Sequence, residues 1–200
     1  MPDEQISPMK KHIESYLSNG VDLRAEIRNS YIDKIYDIAY AVYKTLKSGY
    51  KVYVCGNGGS AADAQHFAAE FVNRYLLERD PLPVIALTTD TSVITSIGND
   101  YSFDEIFSKQ IKAFAKKNDC VIAISTSGKS PNIINALKQA KNSSCVTISI
   151  TGKDGGNMPQ FSDYTFIVPS QCTPLIQEIH LTIEHLICDI VEQLLCNTAS

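Results

Sequence analysis

Two hundred residues, 44% hydrophobic and 20% charged, fit one domain with a sizeable core and exclude a disordered polymer. A formal net charge of −4 argues against a protein built to grip nucleic acid. No uncharged apolar run approaches the ~20 residues of a bilayer span, and the opening Met-Pro-Asp-Glu-Gln lacks the apolar stretch of a secretory signal, so the expectation is a cytoplasmic protein with neither membrane nor nucleic-acid partner.

Residues 9–17 read as a helix that Asn19-Gly20 breaks. From 21 to 46, apolar residues recur with helical spacing at Ile27, Tyr31, Ile35, Ile38, Val42 and Leu46, and Ser48-Gly49 ends this second helix. Residues 1–50 thus form a helical arm, of a kind that needs a partner surface and so points to oligomerisation. From Lys51 onward strands and helices alternate. Residues 51–55 are a strand, 56–60 a glycine turn, and 60–77 a helix. A second strand spans 83–87, a short helix 91–97, a turn 98–100, and a further helix 102–115 with Ser102 as its cap. The third strand is 120–125. A loop follows, then a helix from Pro131 to about residue 141 that Ser130 caps. Strands at 145–150 and 164–168 flank a turn at 152–156, and a long helix covers 174–195.

Strands that are apolar throughout and alternate with helices imply a parallel sheet covered on both faces. The predicted fold is therefore α/β: a three-layer α-β-α sandwich on a five-stranded parallel sheet over residues 51–200, preceded by the arm. The six cysteines include no C-x-x-C pair, and Cys55, Cys120 and Cys145 lie in or beside apolar β runs, which reads as small buried side chains without disulfides.

Open α/β sheets bind ligands at the carboxyl ends of their strands. The loops richest in small polar residues there are Gly56-Asn-Gly-Gly-Ser60 and Ser125-Thr-Ser-Gly-Lys-Ser130. The second sits on a helix N-terminus, where free N–H groups and the dipole favour a phosphate monoester; ordinary capping is the plainer alternative. Neither loop is a Walker A motif or a complete dinucleotide fingerprint. His66 and Glu70, at i and i+4, share a helix face, as a catalytic pair or as a solvated one. Gln177 and His185 lie about 80° apart around the last helix, close enough to reach one cavity, unless the first is a surface amide and the second a satisfied core histidine. His180 and Glu184 read as an exposed i,i+4 pair, and His12, beside two lysines, has no assigned role.

Taken together, CGNGGSAADAQHFAAEF, the IGND ending at Asp100, ISTSGKSPN, TGKDGG and IQEIHLTIEH resemble the sugar isomerase (SIS) domain family and, within it, the sedoheptulose-7-phosphate (phosphoheptose) isomerases. The resemblance covers nearly the whole chain. It implies a flavodoxin-like SIS fold and an aldose–ketose isomerase at the first step of heptose biosynthesis, which feeds lipopolysaccharide or capsule. It implies substrate contacts at Asn57, Gly58, Gly59, Glu70, Asn99, Asp100, Ser125, Thr126, Ser127, Ser130 and Gln177, and an acid/base pair of Glu70 and His185. It further implies one zinc per subunit on His66, Glu70, Gln177 and His185, and a homotetramer with active sites near subunit interfaces. One departure stands out: Leu175 occupies a place where the family often has arginine, which removes a polar contact. The alternative reading is a non-catalytic SIS adaptor that binds the replication initiator. Presence of both Glu70 and His185 favours the enzyme. A glucosamine-6-phosphate-type enzyme would need two SIS units or an amidotransferase domain, for which 200 residues leave no room.

Overall fold

Each of the apolar runs read as strands enters one sheet. In a computed structural model that describes residues 2–197, β1 (Val52–Gly56), β2 (Val84–Ala86), β3 (Cys120–Ser125), β4 (Val146–Gly152) and β5 (Tyr164–Val168) pair in the order β2-β1-β3-β4-β5, all parallel. Val54 lies opposite Ile122, Ile122 opposite Ile148, and Ile148 opposite Tyr164. Helices connect the strands: α1 (Pro2–Ser30) and α2 (Ile32–Lys47) precede β1, and α3 (Gly59–Val72), α4 (Thr91–Asp100), α5 (Ser108–Phe114), α6 (Pro131–Asn142) and α7 (Thr173–Asn197) follow.

Alternation along the strands sorts the two faces. Tyr53, Cys55, Val121 and Ala123 point to one side, where they pack with Ile111 of α5 and Ile133, Ala136, Leu137 and Ala140 of α6. On the other side α3 and α7 pack against each other and against β1 and β4. Phe67, Phe71, Ile176, Ile179 and Ile183 are buried on these two helices. The predicted α-β-α layering and parallel sheet are therefore present, and Cys55, Cys120 and Cys145 are buried free thiols.

The chain divides into two units, Met1–Ile32 and Asp33–Ser200. Met1 and residues 198–200, at the edges of the predicted arm and domain, lie outside the described residues. The first unit contains α1, which runs unbroken through Asn19-Gly20 and instead gives way to α2 at Tyr31. A single glycine costs a long helix only about 1 kcal/mol. α2 buries Ile35, Ile38, Val42 and Leu46, the residues whose spacing predicts it.

Three further boundaries differ from expectation. α4 continues through Gly98 to Asp100. Ser102 does cap, accepting from the Asp104 N–H, but it caps a 3-10 turn (Phe103–Glu105) that precedes α5. The third concerns α3, which stops at Val72 rather than near Leu77 because its continuation is captured. The N–H groups of Tyr75, Leu76 and Leu77 donate to the Glu192 carboxylate of α7 at 3.0, 2.7 and 2.7 Å. The Phe71 carbonyl, which a longer helix would pair with the Tyr75 N–H, accepts instead from Arg79 and from the Leu82 N–H. Among the described residues no helix is long and apolar enough to cross a membrane.

Candidate active site

The order β2-β1-β3 places the switch of chain direction between β1 and β3, so the loops that follow these two strands face each other across a crevice. They are joined there by a reciprocal amide pair. Asn57 Nδ2 donates to Asn132 Oδ1 and Asn132 Nδ2 donates to Asn57 Oδ1, both at 2.9 Å. Asn132 is buried, and its oxygen also accepts the Ile133 N–H at 3.0 Å.

On the β1 side, Gly58 adopts φ 55°, a left-handed conformation that glycine reaches without strain, and α3 starts at the next residue. Gly59 is small for a different reason: a Cβ there would collide with the Gln177 side-chain amide. The α3 N-terminus and the first turns of α7 therefore meet at a position where a side chain would displace the Gln177 amide. On the β3 side, the Ser125 hydroxyl accepts the Gly128 N–H at 3.2 Å and lies 3.5 Å from the Ser130 hydroxyl. Ser127 accepts the Lys129 N–H at 3.2 Å. Ser130 occupies the cap position with Pro131 behind it, but its hydroxyl makes no capping bond and stays directed at Ser125. The result is a hydroxyl-lined loop on a helix N-terminus, suited to an anion.

Two turns into α3, His66 meets α7. His66 Nε2 lies 2.9 Å from His185 Nε2 and 3.6 Å from Glu70 Oε1. The two imidazoles stand edge to face, centroids 5.1 Å apart. At this distance one nitrogen donates and the other accepts, with the roles set by the ring tautomers. The Tyr75 ring lies 5.6 Å from that of His185. His66 and Glu70 remain partly open to solvent, with side chains 40% and 23% exposed.

The structure thus brings His66, Glu70 and His185 together, and sets Gln177 against Gly59. Asn99 and Asp100 lie at the exposed end of α4, bonded to each other at 2.8 Å. Leu175 is buried. A cavity of about 500 Å³ lined by Lys51, Tyr53, Asp90, Gln110 and Lys116, among others, includes none of the candidate residues.

Two histidine nitrogens and a carboxylate are nitrogen and oxygen donors of the kind that suit zinc. Among the described residues, however, no group of three or more His, Cys, Asp or Glu is arranged around a common metal position. As they stand, the imidazoles satisfy one another.

His180 and Glu184 are not the exposed pair their spacing suggests. Both are fully buried, 0% and 1% exposed. His180 Nε2 lies 3.2 Å from the Thr151 carbonyl and donates to it, and burial drops its ring to about 4, only partly opposed by that bond. Neither Glu184 oxygen has a hydrogen-bond partner among the described residues. Burial, and after it the Asp63 carboxylate, pushes Glu184 up to about 9, so it is a neutral acid at pH 7. Asp63 is itself raised by burial, against the pull of His66. The core histidine of α7 is His180, which frees His185 for the cluster.

Known proteins share this sequence pattern and this fold. The sequence profile of the family described as SIS domain matches residues 15–152. A phosphoheptose isomerase from Clostridium acetobutylicum is 50% identical over 187 residues, 92% of this chain and 95% of that protein. Among solved structures, a phosphoheptose isomerase from Francisella tularensis superposes with a TM-score of 0.89 at 39% identity, covering 92% of this chain and 97% of that one. One from Neisseria gonorrhoeae gives 0.87 at 37% identity, with 92% and 99% covered. The chain belongs to the SIS-domain family, among the phosphoheptose isomerases.

Proposed function

We propose that this enzyme interconverts sedoheptulose 7-phosphate and D-glycero-D-manno-heptose 7-phosphate, with Glu70 and His185 as its acid/base pair. The observation that carries the reading is the meeting of His66, Glu70 and His185 from two helices, α3 and α7. The phosphate goes to Ser125, Thr126, Ser127 and Ser130 on the α6 N-terminus. The sugar lies along Asn57, Gly58 and Gly59, with Gln177, Asn99 and Asp100 as further contacts.

Isomerisation moves one proton between C1 and C2 and one between their oxygens, through an enediol. Glu70 and His185 divide these transfers: one removes the carbon-bound proton and returns it to the neighbouring carbon, while the other carries the proton from one oxygen to the other. A carboxylate and an imidazole suit this work near neutral pH. His66, bonded to His185, fixes which nitrogen of that ring faces the substrate. In this reading His66, Glu70, Gln177 and His185 would also hold zinc, which when bound polarises the sugar oxygens.

The arm, residues 1–50, serves assembly into a homotetramer. On α1, Met9, Ile13, Leu17 and Val21 recur every fourth residue and are all exposed, as an assembly face requires. The location proposed is the cytoplasm. The initiator-binding adaptor finds no support: Glu70 and His185 are both present, and the relatives described above are named isomerases.

The test is turnover of sedoheptulose 7-phosphate to an aldose phosphate, with metal analysis of protein purified without chelator. Glu70→Gln and His185→Ala should each cost ~10²–10⁴-fold or more in kcat with the fold intact. Near-normal turnover in either variant would sink the assignment.

A further inference from the structure

The segment after α3 is held by an ion pair that no part of the proposed chemistry uses. Glu192, 1% exposed, follows His185 by seven residues, two helical turns, and so lies on the same face of α7. Its carboxylate takes the three N–H groups of Tyr75, Leu76 and Leu77. Arg79 closes the arrangement, its Nε 3.0 Å from Glu192 Oε1 as an ion-pair contact without hydrogen-bond alignment. The remaining guanidinium nitrogens donate to the carbonyl of Phe71 at 2.8 Å and to that of Glu70 at 2.9 Å.

Each part ends on the active-site cluster. A cation placed on the last carbonyls of a helix complements its dipole and fixes its final turn, and here that turn begins at the backbone of Glu70. The three N–H bonds fix the start of the following segment, and Tyr75 within it sets its ring against His185. One buried carboxylate thereby holds α3 to α7 and settles both where Glu70 sits and what His185 leans on. The bonds lower the Glu192 carboxyl below its ordinary value even though burial, the largest single influence, works in the opposite sense.

We infer that Arg79 and Glu192 are positioning residues for the isomerisation: they act through the Glu70 backbone and the Tyr75 ring, and touch no substrate. The inference rests on the acid/base assignment above. Misplacement of a reacting group by about 1 Å can cost ~10²-fold in rate, so the expected signature is a loss in kcat with KM retained.

The experiment uses the full-length protein and sedoheptulose 7-phosphate. Glu192→Gln, which keeps one acceptor oxygen, and Arg79→Lys, which keeps charge but loses the planar fork, should each lower kcat ~10–100-fold with KM within ~3-fold of wild type. Tyr75→Phe keeps the ring and should retain wild-type kcat; Tyr75→Leu should fall with the latch variants. If both latch variants melt at lower temperature yet keep wild-type kcat, the role is structural only and the inference fails. Should wild type itself not turn over the sugar, the functional reading fails separately, and histidine NMR decides the latch. His185 ring resonances displaced in Glu192→Gln and Arg79→Lys support it, and unchanged resonances overturn it.

Discussion

The Asn57–Asn132 pair predicts a measurable asymmetry. Asn57→Ala removes two neutral hydrogen bonds, each worth about 1 kcal/mol net, and leaves the buried Asn132 amide N–H without its partner. Asn57 is only partly buried, so water can reach the gap and the total should be about 2 kcal/mol. Asn132→Ala removes the same two bonds and also the acceptor for the Ile133 N–H. It should therefore cost more, about 3 kcal/mol. Both variants erase one shared interaction, so the double variant should cost little beyond Asn132→Ala alone, with a coupling of roughly 1–2 kcal/mol. For a chain of this size each kcal/mol moves Tm by ~2–4 °C. Thermal unfolding followed by circular dichroism, at one protein concentration because assembly shifts Tm, would show drops of roughly 4–8 °C and 6–12 °C for the single variants. Effects that add within ~0.5 kcal/mol, or an Asn57→Ala loss larger than that of Asn132→Ala, would refute the idea that this pair ties the two loops together.

Stability should also vary with pH in a way set by α7. Glu184 titrates near 9 in the fold against an ordinary 4.5, so its contribution is complete below pH 4.5 and is lost as pH rises toward 9. His180 titrates near 4 against 6.5, so its contribution is complete above pH 6.5 and is lost as pH falls toward 4. The two slopes oppose one another between 4.5 and 6.5; above that, of these two groups, only Glu184 acts, and its titration should lower stability by up to ~1.4 kcal/mol per pH unit. Denaturant unfolding of chelator-treated protein from pH 6.5 to 9 measures this slope, and an equal slope in Glu184→Gln would contradict the account. Gly59→Ala drives a methyl group into the Gln177 amide, the mobile end of a side chain, at a position with no left-handed backbone requirement. Tm should hold or rise slightly, since alanine is the better helix residue, while kcat/KM falls ~10-fold or more as Gln177 is displaced. Wild-type kcat/KM would show that Gln177 has no part in the site.

Strands and layers were legible because they depend on local pattern. Cys120-Val-Ile-Ala-Ile is apolar on both faces, and only a sheet covered twice can use such a run. Positions where pattern reading went astray are those settled by partners far away in the chain. Nothing in Asn73-Arg-Tyr-Leu-Leu forbids helix, and the expectation that α3 reaches Leu77 follows from propensity alone. What stops it is a carboxylate 115 to 117 residues further on that takes the N–H groups the helix needed. Pro81 and Pro83 mark the end of the loop, and no local signal marks its start.

The candidate site divides in the same way. His66–Glu70 and His180–Glu184 are the same i, i+4 pair on two helices, and spacing treats them alike. Their environments differ because of where each helix lies. α3 leaves His66 and Glu70 partly wet, while the part of α7 that bears His180 and Glu184 passes over β4 with the pair turned inward. There the histidine spends its Nε2 on the Thr151 carbonyl and the acid stays protonated, so the pair is fixed in its neutral form. His185, one residue beyond Glu184, is turned about 100° around the helix and emerges toward His66. A shift of one residue along α7 separates a neutral core acid from a member of the His66–Glu70–His185 cluster. The sequence feature that tells them apart is the stripe Ile176, Ile179, Ile183 and Ile187, which names the buried face: Glu184 follows Ile183 on its edge, and His185 lies a further step around.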